Sequence, residues 1–327
     1  MNSYQRLLTL LGDGELHSGA ALAESLGVSR TAVWKQLERL RELGLGIDAD
    51  AGQGYQLRSA YEALDQEKII AAMSPLAQKQ LDVIDVFWEC DSTNSYLLSS
   101  DVSPGARVCL ADYQADGRGR RGRRWMSPPG SGIWLSVGWT WDVPPAQLTA
   151  LSLAIGAAIT VVLQRAGVGN VRLKWPNDLQ IDGRKLAGIL IDVQGDSSGP
   201  LTVVAGLGLN TAVPSEVAEA VEADAGLSPV GLNEFASHLS RNDLAGKITS
   251  AMIEVLDSYA ETGFEPYRNV WQDNDALLEQ AVSVSGSQTL TGIARGIDGN
   301  GFLIVDAEGR RELVGAGDVT LRKEQSR

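Results

Sequence analysis

Two cysteines and two histidines are all that this 327-residue chain has of the residue types that most often hold metals or staple small folds. Cys90 and Cys109 make no disulfide framework, and neither stands in a metal-ligand spacing, so neither a zinc site nor a cross-linked scaffold is expected. The N-terminal MNSYQRLLTL lacks the basic, apolar, small-residue order of a secretory signal. Positive charge is scarce: 28 Lys and Arg face 41 Asp and Glu, for a net charge of −13. That balance excludes a protein that coats nucleic acid with its whole surface, and leaves only a local basic face for such contacts. A hydrophobic share of 44% with 21% charged residues is ordinary globular usage, so a large core is expected and global disorder is not. The length suits two or three domains of roughly 100–200 residues each. One uncharged run, residues 143–164, is long enough to span a bilayer, where about 20 residues suffice. It is diluted by Thr149, Ser152, Gly156 and Thr160 and lacks basic flanks, so a buried helix on a sheet is expected in a soluble, cytoplasmic protein without membrane contact.

What is present falls into distinct stretches. Residues 1–60 hold 6 basic and 7 acidic residues, leaving 22 and 34 to the other 267, so the acidity belongs to the second part. Ser18 and Ser29 each stand where an N-cap belongs, Gly27-Val28 turns between two helices, and Gly44 follows the third. Val33, Leu37 and Leu40 make one buried stripe on that third helix. Ser29, Arg30, Thr31, Trp34 and Lys35 gather at its start on the outer side, and a two-stranded wing around Gly52 and Gly54 follows. This order predicts a winged helix-turn-helix domain over 1–60, with those five residues meeting DNA. A three-helix protein-interaction module would share the pattern, but an exposed indole among polar residues favours an interface.

Residues 61–80 read as a polar, helical connector. From residue 81 the pattern turns to strands, with Ile133, Leu135, Val137, Trp139 and Trp141 in strict alternation, which predicts one core face. Asp182-Gly183 between two apolar runs predicts a two-residue hairpin. Long helices are expected at 146–166 and 242–262, and short strands with glycine turns after Trp271. The fold class is therefore α+β: a winged helix over 1–60, a connector over 61–80, a mixed or largely antiparallel sheet with helices over 81–272, and a small β-barrel over 273–327.

The densest chemistry lies at 117–125, GRGRRGRRW, with five arginines, three glycines and no acid in nine residues. The string also fits the G-x-G-x-x-G dinucleotide pattern, but Met126-Ser127-Pro128-Pro129-Gly130 follows, where the helix that pattern needs cannot start. Glycine allows close backbone approach, and crowded guanidinium groups invite an anion, so a phosphate-wrapping loop is expected beside the blander alternative of a solvated basic loop. Ser92-Thr93-Asn94 stands where it would cap a helix, and its hydroxyls could also bind a compact polar group. Lys185 is expected to share a strand face with Ala187, Ile189 and Ile191, exposed at an edge or drawn in by an anionic ligand.

GRGRRGRRW, KWPND and RKLAGIL, in this order and behind a winged helix, resemble the bifunctional biotin–protein ligase and biotin-operon repressor family over essentially the whole chain. The resemblance implies a class II synthetase-like biotin/lipoate ligase fold with an SH3-like C-terminal barrel. It implies a reaction in which biotin and Mg-ATP give biotinyl-5′-AMP, and biotin then passes to a lysine on the biotin carrier domain of acetyl-CoA carboxylase. It also implies biotin-binding roles for Ser92, Thr93, Asn94, Gln114, Arg118, Gly119, Arg120 and Lys185. Adenylate or ATP roles follow for Gly117, Arg121, Arg123, Trp125, Lys174, Asp178, Asn210 and Arg322. Lys185 and Arg118 are the catalytic candidates, and Asp178 a candidate ligand for the Mg2+ that accompanies ATP. Operator DNA and a homodimer formed on adenylate binding are the further partners implied. One departure stands out: residues 211–232 lack any aromatic to cover an adenine, leaving Val213, Val217, Leu227, Pro229, Val230 and Leu232 as candidates. A lipoate–protein ligase and a ligand-sensing repressor without turnover remain as alternatives. Neither a P-loop nor a catalytic cysteine or histidine is expected where the acyl group rides on AMP.

Overall fold

The computed structural model describes residues 2–323 except 51, 59–60, 102–103, 142–144, 196–199, 224–226, 286–288 and 317–319. At the N-terminus α1 (Ser3–Leu11), α2 (Gly19–Leu26) and α3 (Arg30–Glu42) pack round their own core. Ser18 Oγ accepts from Ala21 N and Ser29 Oγ from Ala32 N, each at 3.1 Å, which satisfies donors that a helix start leaves open. Leu7, Leu8, Leu11, Leu37 and Leu40 are fully buried in this unit. The wing pairs β1 (Ile47–Asp50) with β2 (Gly54–Leu57), Ile47 opposite Leu57.

Residues 61–80 are helical but do not form a polar connector. In α4 (Gln66–Ala71) and α5 (Pro75–Gln80), Ile69, Met73 and Ala77 are buried in the main core, packed on the long helix α9 (Arg241–Thr262). Ile69 lies in α4, Met73 in the turn that follows it and Ala77 in α5, so both short helices and the turn between them contribute to the core. Gly246 supplies the fit, since a Cβ there would collide with Ile69 O. Just before α4, Tyr61 and Glu62 meet a buried ion pair. Arg241, only 5% exposed, pairs its guanidinium with the fully buried Asp112 and donates to Gly132 O at 2.8 Å. Tyr61 OH donates to Asp112 Oδ2 at 3.1 Å, and burial together with that carboxylate pushes its phenol well above the ordinary range. Burial alone would raise Glu62, but hydrogen bonds from Asn242, Ser240 and the Arg241 N–H outweigh it and hold the carboxyl low.

The central sheet adds β3 (Leu81–Cys90), β4 (Ala106–Gln114), β5 (Gly132–Trp141), β6 (Arg172–Lys174), β7 (Asp178–Ile181), β8 (Arg184–Gln194) and β9 (Leu201–Asn210), in the order β3-β4-β5-β9-β8-β7-β6. Only β3 and β4 run parallel. The uncharged run forms α7 (Leu151–Arg165), which begins after a 3-10 turn at Pro145–Leu148, and α7 and α9 cover one face of the sheet. Among the described residues no helix is long and apolar enough to cross a membrane. The other face carries α6 (Thr93–Leu98) and a large cavity. Hence β5 is buried on both sides rather than one: Ile133, Leu135 and Val137 join the core with α7 and α9, while Trp134 and Ser136 lie under the cavity wall. Asp182 and Gly183 turn the β7–β8 hairpin with φ of 51° and 75°, the left-handed pair such a turn needs.

A C-terminal sheet of β10 (Ala281–Ser285), β11 (Thr289–Ile297), β12 (Leu303–Ala307), β13 (Arg310–Val314) and β14 (Thr320–Lys323) is antiparallel throughout, in the order β13-β12-β11-β10-β14. It shares the main core through Val282, Val284 and Leu303, and Trp175 Nε1 donates to Gly301 O at 3.0 Å.

Candidate active site

The floor of the cavity is backbone. Gly188 on β8 lies opposite Gly208 on β9, and Gly206 stands two residues along. The Trp125 indole lies on this bare patch: a Cβ at Gly208 would sit 2.6 Å from Trp125 Cε2, and one at Gly188 3.2 Å from its Cζ3. With a volume of about 1760 Å3, the cavity exceeds the roughly 300–1,000 Å3 common for one small ligand and has room for two joined ones.

One wall is polar. Ser92 caps α6, and Thr93, Asn94 and Gln114 follow it into the cavity, all nine-tenths or more buried. Gln114 Oε1 accepts from Thr93 N at 2.9 Å, and Gln114 Nε2 donates to Ser127 Oγ at 3.1 Å. Ser136, which the sequence reading passed over, places its hydroxyl 2.6 Å from Thr93 Oγ1 and 2.5 Å from Asn94 Oδ1. Asp192, also passed over, accepts from Asn94 Nδ2 at 2.9 Å.

The arginine loop folds back on itself, Gly119 N donating to Arg123 O and Trp125 N to Gly117 O, both at 2.7 Å. Arg118, Gly119, Arg120, Arg121 and Arg123 line the cavity. Gly117 stands behind that lining: a Cβ there would be 2.5 Å from Trp125 O and 2.9 Å from Ser127 Oγ, so the residue serves the loop's closure. Arg118 donates to Ser95 Oγ at 2.8 Å and lies 3.7 Å from Asp192. Arg120 spans instead to Ala316 O, just past β13 of the C-terminal sheet, and to Asn177 Oδ1.

Opposite stands the KWPND turn with its cis Trp175–Pro176 peptide, then Asp178 and Lys185. Lys185 does not share a face with Ala187 and Ile189. Gln180 pairs with Lys185 but Leu179 with Ala187, so β8 carries one extra residue. That bulge turns Lys185 to the side of Gly188, whose Cβ would be 3.2 Å from Lys185 Nζ, while Ile189 points at α7. Lys185 Nζ pairs with Asp178 Oδ1 at 2.7 Å and sits 5.1 Å over the Trp125 ring. Lys174 and Asn210 line the cavity too, Asn210 Nδ2 donating to Lys185 O at 3.3 Å. Arg322 has its backbone on β14 opposite Ser283, and its side chain lies outside the described residues.

The roof is α8 (Ser215–Ala223) with residues 227–229. Val217, Leu227 and Pro229 face the cavity with Ala220 and Val221, whereas Val230 and Leu232 are spent in the core. The roof is thus aliphatic, and the large aromatics of the lining, Trp125 and Trp175, come from elsewhere in the cavity wall. Far from here, Ser29, Arg30, Thr31, Trp34 and Lys35 are exposed at the start of α3, with Trp34 50% exposed.

Sequence models match at three places: the biotin/lipoate A/B protein ligase family at residues 87–210, an HTH domain at 4–56 and the biotin protein ligase C-terminal domain at 277–322. The bifunctional ligase/repressor BirA of Escherichia coli is 36% identical over 320 residues, covering 97% of this chain and 96% of its own length. The biotin--[acetyl-CoA-carboxylase] ligase of Mycobacterium tuberculosis is 36% identical over 254 residues, covering 74% of this chain and 88% of its own. A biotin protein ligase from Aquifex aeolicus, solved in complex with biotin and ATP, superposes with a TM-score of 0.63 at 24% identity, over 75% of this chain and all of that one. With a helix-turn-helix domain ahead of that ligase domain and its C-terminal companion behind it, this chain belongs to the bifunctional ligase/repressor members of the biotin/lipoate protein ligase family.

Proposed function

We propose that this chain is a biotin–protein ligase and biotin-responsive repressor whose two-step reaction runs in this large cavity. The observation that carries this reading is the meeting, round one glycine floor, of a neutral polar wall, a five-arginine loop and the Lys185–Asp178 pair. Thr93 and Gln114 suit the ring urea of biotin, and Trp125 its apolar body. The biotin carboxylate attacks the α-phosphorus of ATP and pyrophosphate leaves. Lys185, held beside Trp125, offsets the negative charge that gathers there, and the arginines hold the phosphates. The amine of a lysine on a carboxylase's carrier domain then attacks the acyl carbon, and AMP leaves. The loop and the aliphatic roof exclude water from the anhydride between the two steps. Mg2+ enters with the nucleotide's phosphates and would lower their charge. A single protein carboxylate suits an ion that keeps most of its waters, and Asp178 would be the residue to hold it. The test is biotin-dependent ATP–pyrophosphate exchange with lipoate alongside. Exchange with biotin alone is expected, exchange with lipoate alone would reassign the pocket, and silence with both would leave a sensor without turnover.

Repression rests on α3, whose exposed face is the natural reader of a major groove. Deleting residues 1–60 is expected to abolish operator binding in a mobility-shift assay while exchange persists. Operator binding that survived the deletion would remove α3 from this role. A single small DNA-reading module has modest affinity, so two copies are needed. β8 outruns β7, leaving residues 190–194 paired only on the β9 side among the described residues, and Asp192 on that open edge contacts Arg118 of the loop. This supports a homodimer that forms when adenylate orders the loop. Sedimentation should show dimerisation promoted by biotin plus ATP, and identical behaviour without them would count against it.

A further inference from the structure

The polar wall has a fixed hydrogen-bond direction, and its origin is a carboxylate at the sheet edge. One end of the Asn94 side chain faces Asp192 Oδ2 at 2.9 Å and Leu190 O at 3.3 Å. Both neighbours only accept, so that end is the NH2 and the other is the carbonyl oxygen. Asn94 Oδ1 lies 2.5 Å from Ser136 Oγ, and a buried carbonyl at that distance takes the hydroxyl proton. Ser136 has one proton and has now given it. Its contact with Thr93 Oγ1 at 2.6 Å must therefore be donated by Thr93. Gln114 Oε1, at 3.2 Å from the same hydroxyl, is already served by Thr93 N at 2.9 Å. Thr93 thus has no proton left for the cavity and turns only lone pairs to it.

We propose that Ser136, set by Asp192 through Asn94, is a positioning residue that makes Thr93 Oγ1 an obligate acceptor and so selects ligands with a ring N–H at that point. This deepens the reading of Thr93 and Gln114 as the wall that meets biotin's ring, and rests on it. Every member of the relay is held in place. Ser136 is fully buried on β5, Thr93 and Asn94 are each 4% exposed, and a Cβ at Gly206 would collide with Asn94 Oδ1. No ligand atom is needed to set the order, so the wall is polarised before anything binds, and a ring atom that cannot donate meets lone pair against lone pair. Sites built to bond a particular donor reject analogues lacking it far more strongly than apolar pockets reject a missing methylene.

The test uses the full-length protein and three acids: biotin and the two cyclic carbamates in which one or the other ring N–H is replaced by oxygen. Pyrophosphate release gives kcat/KM for each. The wild type should discriminate against one carbamate by about 100-fold or more. Ser136→Ala leaves the Thr93 proton only the longer contact to Gln114 Oε1 at 3.2 Å, from which a ligand acceptor can take it, and should lower that discrimination roughly tenfold, with KM for ATP unchanged. Ser136→Thr, which keeps the hydroxyl, should restore it. Asp192→Asn, at the more exposed end of the relay, should lower the same ratio by less, because a carboxamide can turn either end to Asn94 and only the longer contact to Leu190 O then fixes which way it faces. If both Ser136→Ala and Asp192→Asn raise KM for biotin and leave the ratios untouched, Ser136 is merely structural and the proposal fails. It fails as well if the wild type accepts both carbamates like biotin, and in either case biotin adenylation itself still stands. Absence of adenylation in the wild type would instead overturn the ligase reading.

Discussion

Lys185→Ala will cut biotin-dependent pyrophosphate exchange by about 10²–10³-fold, the cost of removing one preorganised group that meets developing charge. The fold should survive the change. The strand position of Lys185 is kept by its backbone, since Lys185 N donates to Ser228 O at 2.8 Å and Lys185 O accepts from Val230 N at 2.9 Å. What disappears is the ammonium that pairs with Asp178 and lies over Trp125. Asp178 is then left as an uncompensated anion beside an incoming carboxylate and triphosphate, so the loss should fall on adenylate formation more than on later transfer. Transfer from chemically supplied biotinyl-AMP to a carrier domain separates the two steps. Exchange at the wild-type rate in this variant would take Lys185 out of the reaction.

Asp112→Ala should destabilise the catalytic unit by about 3–5 kcal/mol, the usual result of stranding one charge of a buried pair. Arg241 is 5% exposed and its remaining acceptors are the carbonyls of Gly132 and Glu62, at 2.8 and 3.1 Å. Tyr61 OH loses the carboxylate oxygen it donates to at the same time. Urea unfolding should register the loss, and the double change Asp112→Leu with Arg241→Met should recover much of it, because an apolar pair carries no desolvation penalty. A loss well under 1 kcal/mol in the single variant would mean that water reaches the pair. The effect should also spread to the winged helix. Tyr61 packs under Gly130, where a Cβ would be 2.5 Å from its Cδ2, and Tyr4 of α1 stacks on Trp88 of β3 at 5.9 Å.

The parts of this architecture that were readable in the sequence are those decided within a few residues. Ser18 and Ser29 cap their helices because a hydroxyl three residues ahead of an open N–H is a local matter, and Asp182-Gly183 turns because both residues tolerate positive φ. The arginine loop and the KWPND turn were likewise visible, their composition being too unusual for ordinary surface. What escaped depends on partners far along the chain. Ile69, Met73 and Ala77 are core only because α9, some 170 residues later, brings Gly246 against them. The facing of Lys185 turns on one extra residue in β8, which apolar alternation cannot register. Ser136 falls between the alternating apolar residues of β5, and its meaning arises only when α6 and the far end of β8 close over it.

The glycine floor limits how the pocket could be remodelled. Nothing on Gly188, Gly206 or Gly208 can be trimmed, and each added side chain would strike Lys185, Asn94 or Trp125. Any change on that side therefore shrinks the chamber. A variant that accepts a bulkier acid has to gain its space by cutting back Trp125, which lies on that floor, or the aliphatic residues of α8 across from it. Libraries aimed at enlarged substrates should leave the three glycines alone and spend their diversity on those side chains.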